Sequence, residues 1–147
     1  MNLIVAPEEL PQQADLFLAG GISNCPDWQK EAAGMLNGLP LTVLNPRRPG
    51  VLVDSEARNQ IMWEWEAFKH ARSVLFWFPA ETLCPITLFE LGTFMPTNMP
   101  LFVGTHPDYQ RRLDVTVQVG LSRPEVKVYD SLPDTVHAAK RWFAELS

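Results

Sequence analysis

Short apolar runs alternate along this chain with stretches in which apolar residues recur at helical spacing. Residues 14–19, ADLFLA, are apolar and run into Gly20-Gly21, which predicts a strand ending in a tight loop. Pro26 opens a helical stretch from Asp27 to about Asn37, since proline suits a first helical turn, and Gly38 suits its end. Leu41 to Leu44 read as a second strand, halted by Asn45-Pro46, with a loop from Arg47 to Asp54. Ser55 is expected to cap a helix from Glu56 to about Arg72. Ser73 to Phe78, SVLFWF, are apolar on both faces, as in a central strand of a parallel sheet, and Pro79 ends them. A helix from Pro85 to about Phe94 follows, then a strand from Leu101 to Val103. Tyr109 to about Gly120 read as helix, although Val115 and Val117 count against it. Val126 to Tyr129 form a last strand. Residues 133–146 form a closing helix with Val136, Ala139, Trp142, Phe143 and Leu146 on one face.

This is β-α repeated five times. Such alternation implies an α/β fold, a five-stranded parallel sheet with helices on both faces, in one flavodoxin-like (Rossmann-like) domain over residues 1–147. Right-handed crossovers favour the strand order 2-1-3-4-5, and ligands then bind beyond the carboxyl ends of the strands. That rule selects the loops Gly20–Pro26, Asn45–Asp54, Pro79–Pro85 and Gly104–Asp108.

Composition narrows the function classes. With 147 residues, 46% of them hydrophobic, the chain can bury a core without staples. The longest apolar run, Val74 to Ala80, is far short of the roughly 20 residues that span a bilayer. No basic stretch precedes Pro7, Glu8 and Glu9, so neither a signal peptide nor a membrane role is expected. Two cysteines, Cys25 and Cys84, make no framework and fit a reducing cytoplasm. A net charge of −5 argues against a nucleic acid polymer as partner, but leaves room for one small anion in a basic pocket.

Each selected loop has two readings. Gly20 and Gly21 allow a ligand to approach the backbone, or simply make a strand-to-helix turn; they form neither a G-x-G-x-x-G nor a P-loop. Asn45, Arg47 and Arg48 could bind phosphate or carboxylate oxygens, or the arginines could pair with acids such as Asp54. Gln60 and Glu64, four apart, share a helix face that either reaches a base or sugar or lies in solvent. Trp63 either stacks on a base or belongs to the core or an interface. Glu90 stands among Leu88, Phe89 and Leu91, where a carboxylate is costly unless paired or used. Glu81, nearer a loop tip, could supply a proton. Cys84 precedes a helix, and a packed thiol is the better reading. His70, His106 and His137 lie on separate elements, so no metal site and no cofactor are expected.

Six strings in order carry a resemblance: FLAGGISNCPDWQ at 17–29, VLNPRR at 43–48, QIMWE at 60–64, LFWFP at 75–79, CPITLFELG at 84–92 and RRLDV at 111–115. Together they resemble nucleoside 2-deoxyribosyltransferase-like proteins. The resemblance implies a flavodoxin-like, homo-oligomeric protein that acts on the N-glycosidic bond of small-molecule 2′-deoxynucleosides or nucleotides. It assigns the nucleophile to Glu90, with a covalent deoxyribosyl ester as intermediate and a base or water as acceptor. Gln60 and Glu64 take pocket positions, and Glu81 or Glu64 stands in as proton donor. Two positions depart from the family pattern. Ala71-Arg72 stands where many relatives carry Ala-Asp, and Cys84 stands where the classical transferases have an acid and the related nucleotide hydrolases a serine. These departures keep open a nucleotide-binding or sensing protein without turnover. A flavodoxin-type module for another cofactor is a third reading.

Overall fold

Six strands form the sheet, one more than the sequence predicts. The computed structural model describes the whole chain, Met1–Ser147. In chain order the elements are β1 (Asn2–Val5), β2 (Leu16–Gly20), α1 (Trp28–Leu36), β3 (Thr42–Asn45), a 3₁₀ turn (Asp54–Glu56) and α2 (Ala57–His70). After them come β4 (Val74–Phe78), α3 (Pro85–Phe94), β5 (Leu101–Thr105), α4 (Arg112–Ser122), β6 (Val128–Tyr129) and α5 (Leu132–Glu145). The strand order is β1-β3-β2-β4-β5-β6, and every pairing is parallel. Leaving β1 aside, the other five strands follow the expected 2-1-3-4-5 order. The unpredicted β1 pairs only with β3, from Asn2 beside Thr42 to Val5 beside Asn45. One exposed and three half-buried residues make too short a pattern to read, and this edge strand owes its form to its neighbour.

Alternation along the strands separates two apolar layers. Phe17, Phe76 and Phe78 face α2, α3 and α4 and pack with Ala67, Leu91, Val115 and Val119. Leu16, Leu18, Leu75 and Trp77 face the other way, toward Trp28, Ala32 and Leu36 of α1 and Val136, Ala139 and Phe143 of α5. All five residues of β4 are buried, as its two-sided apolar run requires. No helix is long and apolar enough to cross a membrane.

Several boundaries move for local reasons. Asp27 caps α1 by accepting from the Lys30 amide at 3.1 Å, so Pro26 lies before the helix. Ser55 sits inside the 3₁₀ turn and does not cap α2, whose preceding residue is Glu56. α4 begins three residues later than expected, because Tyr109 is buried and its hydroxyl donates to the Leu83 carbonyl at 2.7 Å. β5 runs on to Thr105 through Gly104, where a side chain would collide with Thr135 and the Trp77 ring.

Candidate functional site

The carboxyl ends of β2, β3 and β4 bring three loops together, and two glycines set how closely. A Cβ on Gly20 would stand 2.3 Å from the Trp77 carbonyl oxygen and 2.5 Å from the Trp28 ring. One on Gly21 would meet Cys84 Sγ and Thr82 Cγ2 at 3.0 Å. The close approach these glycines permit in the structure is thus that of Trp28, Trp77 and the loop after β4. The Gly21 carbonyl accepts from Trp28 Nε1 at 2.8 Å and from Gln29 Nε2 at 3.1 Å.

Arg47 and Arg48, adjacent in sequence, do different work. Arg47 ties the loop after β3 to the loop after β2: Nη1 donates to the Pro26 carbonyl (2.7 Å) and to Gln29 Oε1 (3.0 Å), and Nη2 to the Cys25 carbonyl (2.9 Å). The buried Asn45 fixes the start of this loop by accepting from the Arg47 amide at 2.9 Å. Gln29 is fully buried between Gly21 and Arg47 and was not singled out from sequence; in the string PDWQ nothing marks it apart from other helical glutamines. Arg48 turns toward α2. Its Nε donates to Gln60 Oε1 at 2.7 Å, and its Nη1 lies 3.4 Å from Glu56. Its Nη2 is buried with no partner.

Gln60 passes this contact on. Its Nε2 donates to the Pro46 carbonyl at 2.7 Å and to Glu64 Oε2 at 3.3 Å. The shared face predicted for Gln60 and Glu64 is therefore present, with Gln60 buried and Glu64 half-buried. Glu90, on α3, is half-buried as well. Burial pushes the Glu64 carboxyl up to about 7, against the smaller opposing pull of its Gln60 hydrogen bond and the Arg48 charge. Burial, and then the charge of Glu64, push Glu90 up to about 8. Burial thus holds both carboxyls toward the neutral acid, and a carboxyl raised in this way can act as a general acid near neutral pH.

The remaining residues lie around this pair. Trp63 donates its indole N–H to the Glu8 carbonyl at 2.8 Å and stands 6.4 Å from the Phe17 ring, so it packs on the core. Cys84 is buried at the N-terminus of α3, in the left-handed region with φ 51°, and burial pushes its thiol up to about 12. Glu81 is exposed at the tip of the loop after β4, near enough to the Cys25 and Cys84 thiols to act on both.

A family model described as nucleoside 2-deoxyribosyltransferase like matches residues 13–109, a span that contains every residue named above as part of the cleft. No curated protein matches the chain.

Proposed function

The chain belongs to the nucleoside 2-deoxyribosyltransferase-like family, and from this we propose that it breaks the N-glycosidic bond of 2′-deoxynucleosides or their 5′-monophosphates. Glu90 is the nucleophile in this reading. Its carboxylate bonds to C1′ as the bond from C1′ to the base nitrogen breaks, through an oxocarbenium-like transition state. The departing nitrogen keeps the electron pair and takes a proton from Glu64. A second base or a water then attacks C1′, gives a proton to Glu64 and frees Glu90. The first acceptor makes the protein a transferase, the second a hydrolase.

The observation that carries this reading is the half-buried Glu90 among Leu88, Phe89 and Leu91, whose carboxyl is raised by burial and then by the charge of the half-buried Glu64. A general acid works best with a pKa near the working pH, and Glu64 lies at about 7. Asn45, Arg47, Gly20 and Gly21 take supporting places in it, holding the loops around the ligand rather than touching it. A homo-oligomer also fits: Ile61, Met62 and Trp65 on α2 and Ile86 and Phe89 on α3 are exposed beside the cleft.

Two observations favour a second reading, a nucleotide-binding or sensing protein without turnover. Glu90 holds its proton up to about 8, and Cys84 supplies a neutral thiol where the classical transferases have an acid. Incubation with each 2′-deoxynucleoside and 5′-monophosphate, with and without a different free base, separates the two. Exchange or base release that vanishes in Glu90→Ala, with a deoxyribosyl adduct on Glu90 by mass spectrometry, is the expected result. Ligand binding without turnover in either protein would replace it with the second reading.

A further inference from the structure

Two buried donors hold the peptide between Gly21 and Ile22 from one side. Trp28 Nε1 and Gln29 Nε2 reach the Gly21 carbonyl oxygen at 2.8 and 3.1 Å, which occupies both of its lone pairs. This peptide is trans, so its N–H points opposite to its carbonyl. The carbonyl points to α1, which covers one side of the sheet. The Ile22 N–H is therefore turned away from α1, toward the side that α2 and α3 cover. It donates to no group of the protein. The Gln29 amide is itself oriented from its other end. Arg47 Nη1 donates to Gln29 Oε1 at 3.0 Å, which leaves the amide nitrogen for Gly21. A flipped amide would set donor against donor and leave Gly21 with one partner, and at a fully buried residue no water takes the vacant place. Arg47 is fixed in turn by the carbonyls of Pro26 and Cys25 at 2.7 and 2.9 Å.

We infer that Gln29 is a positioning residue: aligned by Arg47, it locks the Gly21–Ile22 peptide so that the Ile22 N–H is presented to the ligand. The inference rests on the reading above, in which a nucleoside or nucleotide lies at the carboxyl ends of the strands. Gln29 does not touch that ligand, because it is fully buried under the loop. The partner of the Ile22 N–H is an oxygen acceptor of the ligand. Glycine at position 21 lets the peptide fit between α1 and the loop after β4, where a Cβ would lie 3.0 Å from Cys84 Sγ and Thr82 Cγ2. Past Ile22 the chain is exposed at Ser23 and Asn24, so the anchor at Gly21 sets the course of the loop. With Trp28 as its only donor the peptide can turn. A turned peptide offers a carbonyl in place of the N–H, and that carbonyl repels a ligand oxygen.

The state of this peptide can be read with and without ligand. In the full-length protein labelled with ¹³C and ¹⁵N, the Gly21 carbonyl and Ile22 amide resonances are compared among wild type, Gln29→Glu and Gln29→Leu. Gln29→Glu keeps an acceptor for Arg47 but loses the donor to Gly21; Gln29→Leu loses both. Both variants are expected to shift the Gly21 carbonyl carbon upfield and to bring microsecond-to-millisecond exchange at Ile22. Titration with each 2′-deoxynucleoside and 5′-monophosphate should move the Ile22 amide of the wild type. Affinity should weaken about three- to tenfold in the variants, the worth of one hydrogen bond. In turnover the loss should fall on KM, with kcat kept within about twofold. Unmoved Gly21 and Ile22 resonances in a folded Gln29→Glu, or a changed loop with unchanged affinity, would overturn the inference. So would a wild type whose Ile22 amide no ligand moves, a result that needs no variant to fold. Loop and affinity changes as expected, with no turnover in any of the proteins, would instead sink the catalytic reading and leave the positioning intact.

Discussion

Arg72 Nη2 lies 2.7 Å from Asp15 Oδ1, and the pair closes the amino-terminal edge of the sheet, the end away from the cleft. Asp15 precedes β2 and Arg72 precedes β4, so each side chain projects from the start of a strand. The Arg72 guanidinium also lies 5.4 Å from the Phe143 ring and 5.9 Å from that of Trp142 on α5. The departure from the family pattern at Ala71-Arg72 is thus remote from Glu64 and Glu90. An aspartate there would face Asp15 and would not supply a proton to the cleft.

Arg72→Ala is expected to leave turnover or ligand binding unchanged. The ion pair is half-exposed on the arginine side, so its loss should cost no more than about 1 kcal/mol. Arg72→Asp should cost more, from repulsion by Asp15, and should not raise activity. Urea unfolding and a nucleoside turnover assay on both variants check this. A gain in activity in Arg72→Asp would refute the placement.

Gly20→Ala should destabilise by at least about 1–3 kcal/mol, because the obstacle 2.3 Å from the new methyl is the Trp77 backbone oxygen, which cannot turn aside. Gly34→Ala is the control. It lies on α1 with open space around it, and alanine's helix propensity should make it neutral or stabilising. Thermal melts of the two decide. Equal melting temperatures would mean the loops adjust more freely than their packing indicates.

Much of this arrangement was legible in the sequence, and the exceptions have physical causes. SVLFWF announced a buried central strand because both its faces are apolar. Pro85 marked the start of α3, and both ends of that helix agree with the structure. β1 was not legible, since an edge strand of four residues carries no period of its own. The division of labour between Arg47 and Arg48 was not legible either. Adjacent identical side chains are told apart only by what the fold brings to them, Pro26 and Gln29 for one and Gln60 for the other. Glu90 stands out because a carboxylate in an apolar run demands an explanation, and Glu64 because it shares a helix face with Gln60; that the charge of Glu64 acts on Glu90 is seen only in the structure.

Cys84 is expected to resist alkylation. Its thiol is buried, donates weakly to the Thr82 carbonyl at 3.5 Å, and is raised to about 12, so almost none is thiolate at pH 8. Native protein treated with iodoacetamide should remain unlabelled at Cys84 and become labelled once unfolded in guanidinium. Peptide mapping of both samples tests it. Rapid labelling of Cys84 in the native protein would require the loop after β4 to open.

The proton on Glu90 has a consequence for stability. In the unfolded chain this carboxyl ionises near 4.5, and in the folded one at about 8. Below 4.5 both states hold the proton, and the group leaves the balance unchanged. Between 4.5 and 8 the unfolded chain has released its proton while the folded chain keeps it, so unfolding gains with every step of pH and stability falls. Above 8 both states are ionised and the penalty is constant. Glu64, raised to about 7, acts in the same direction over a narrower window. Glu90→Gln replaces the carboxyl with an uncharged side chain of nearly the same shape. Its melting temperature should match the wild type near pH 4 and exceed it by a margin that widens up to pH 8. Functional sites commonly carry such a cost, because the charge that chemistry needs is one that burial opposes. Melting curves of both proteins across pH 4–9 in constant salt test this. A difference independent of pH, or a wild type that is the more stable at pH 8, would show that Glu90 is ionised at ordinary pH and that its proton has no part in the site.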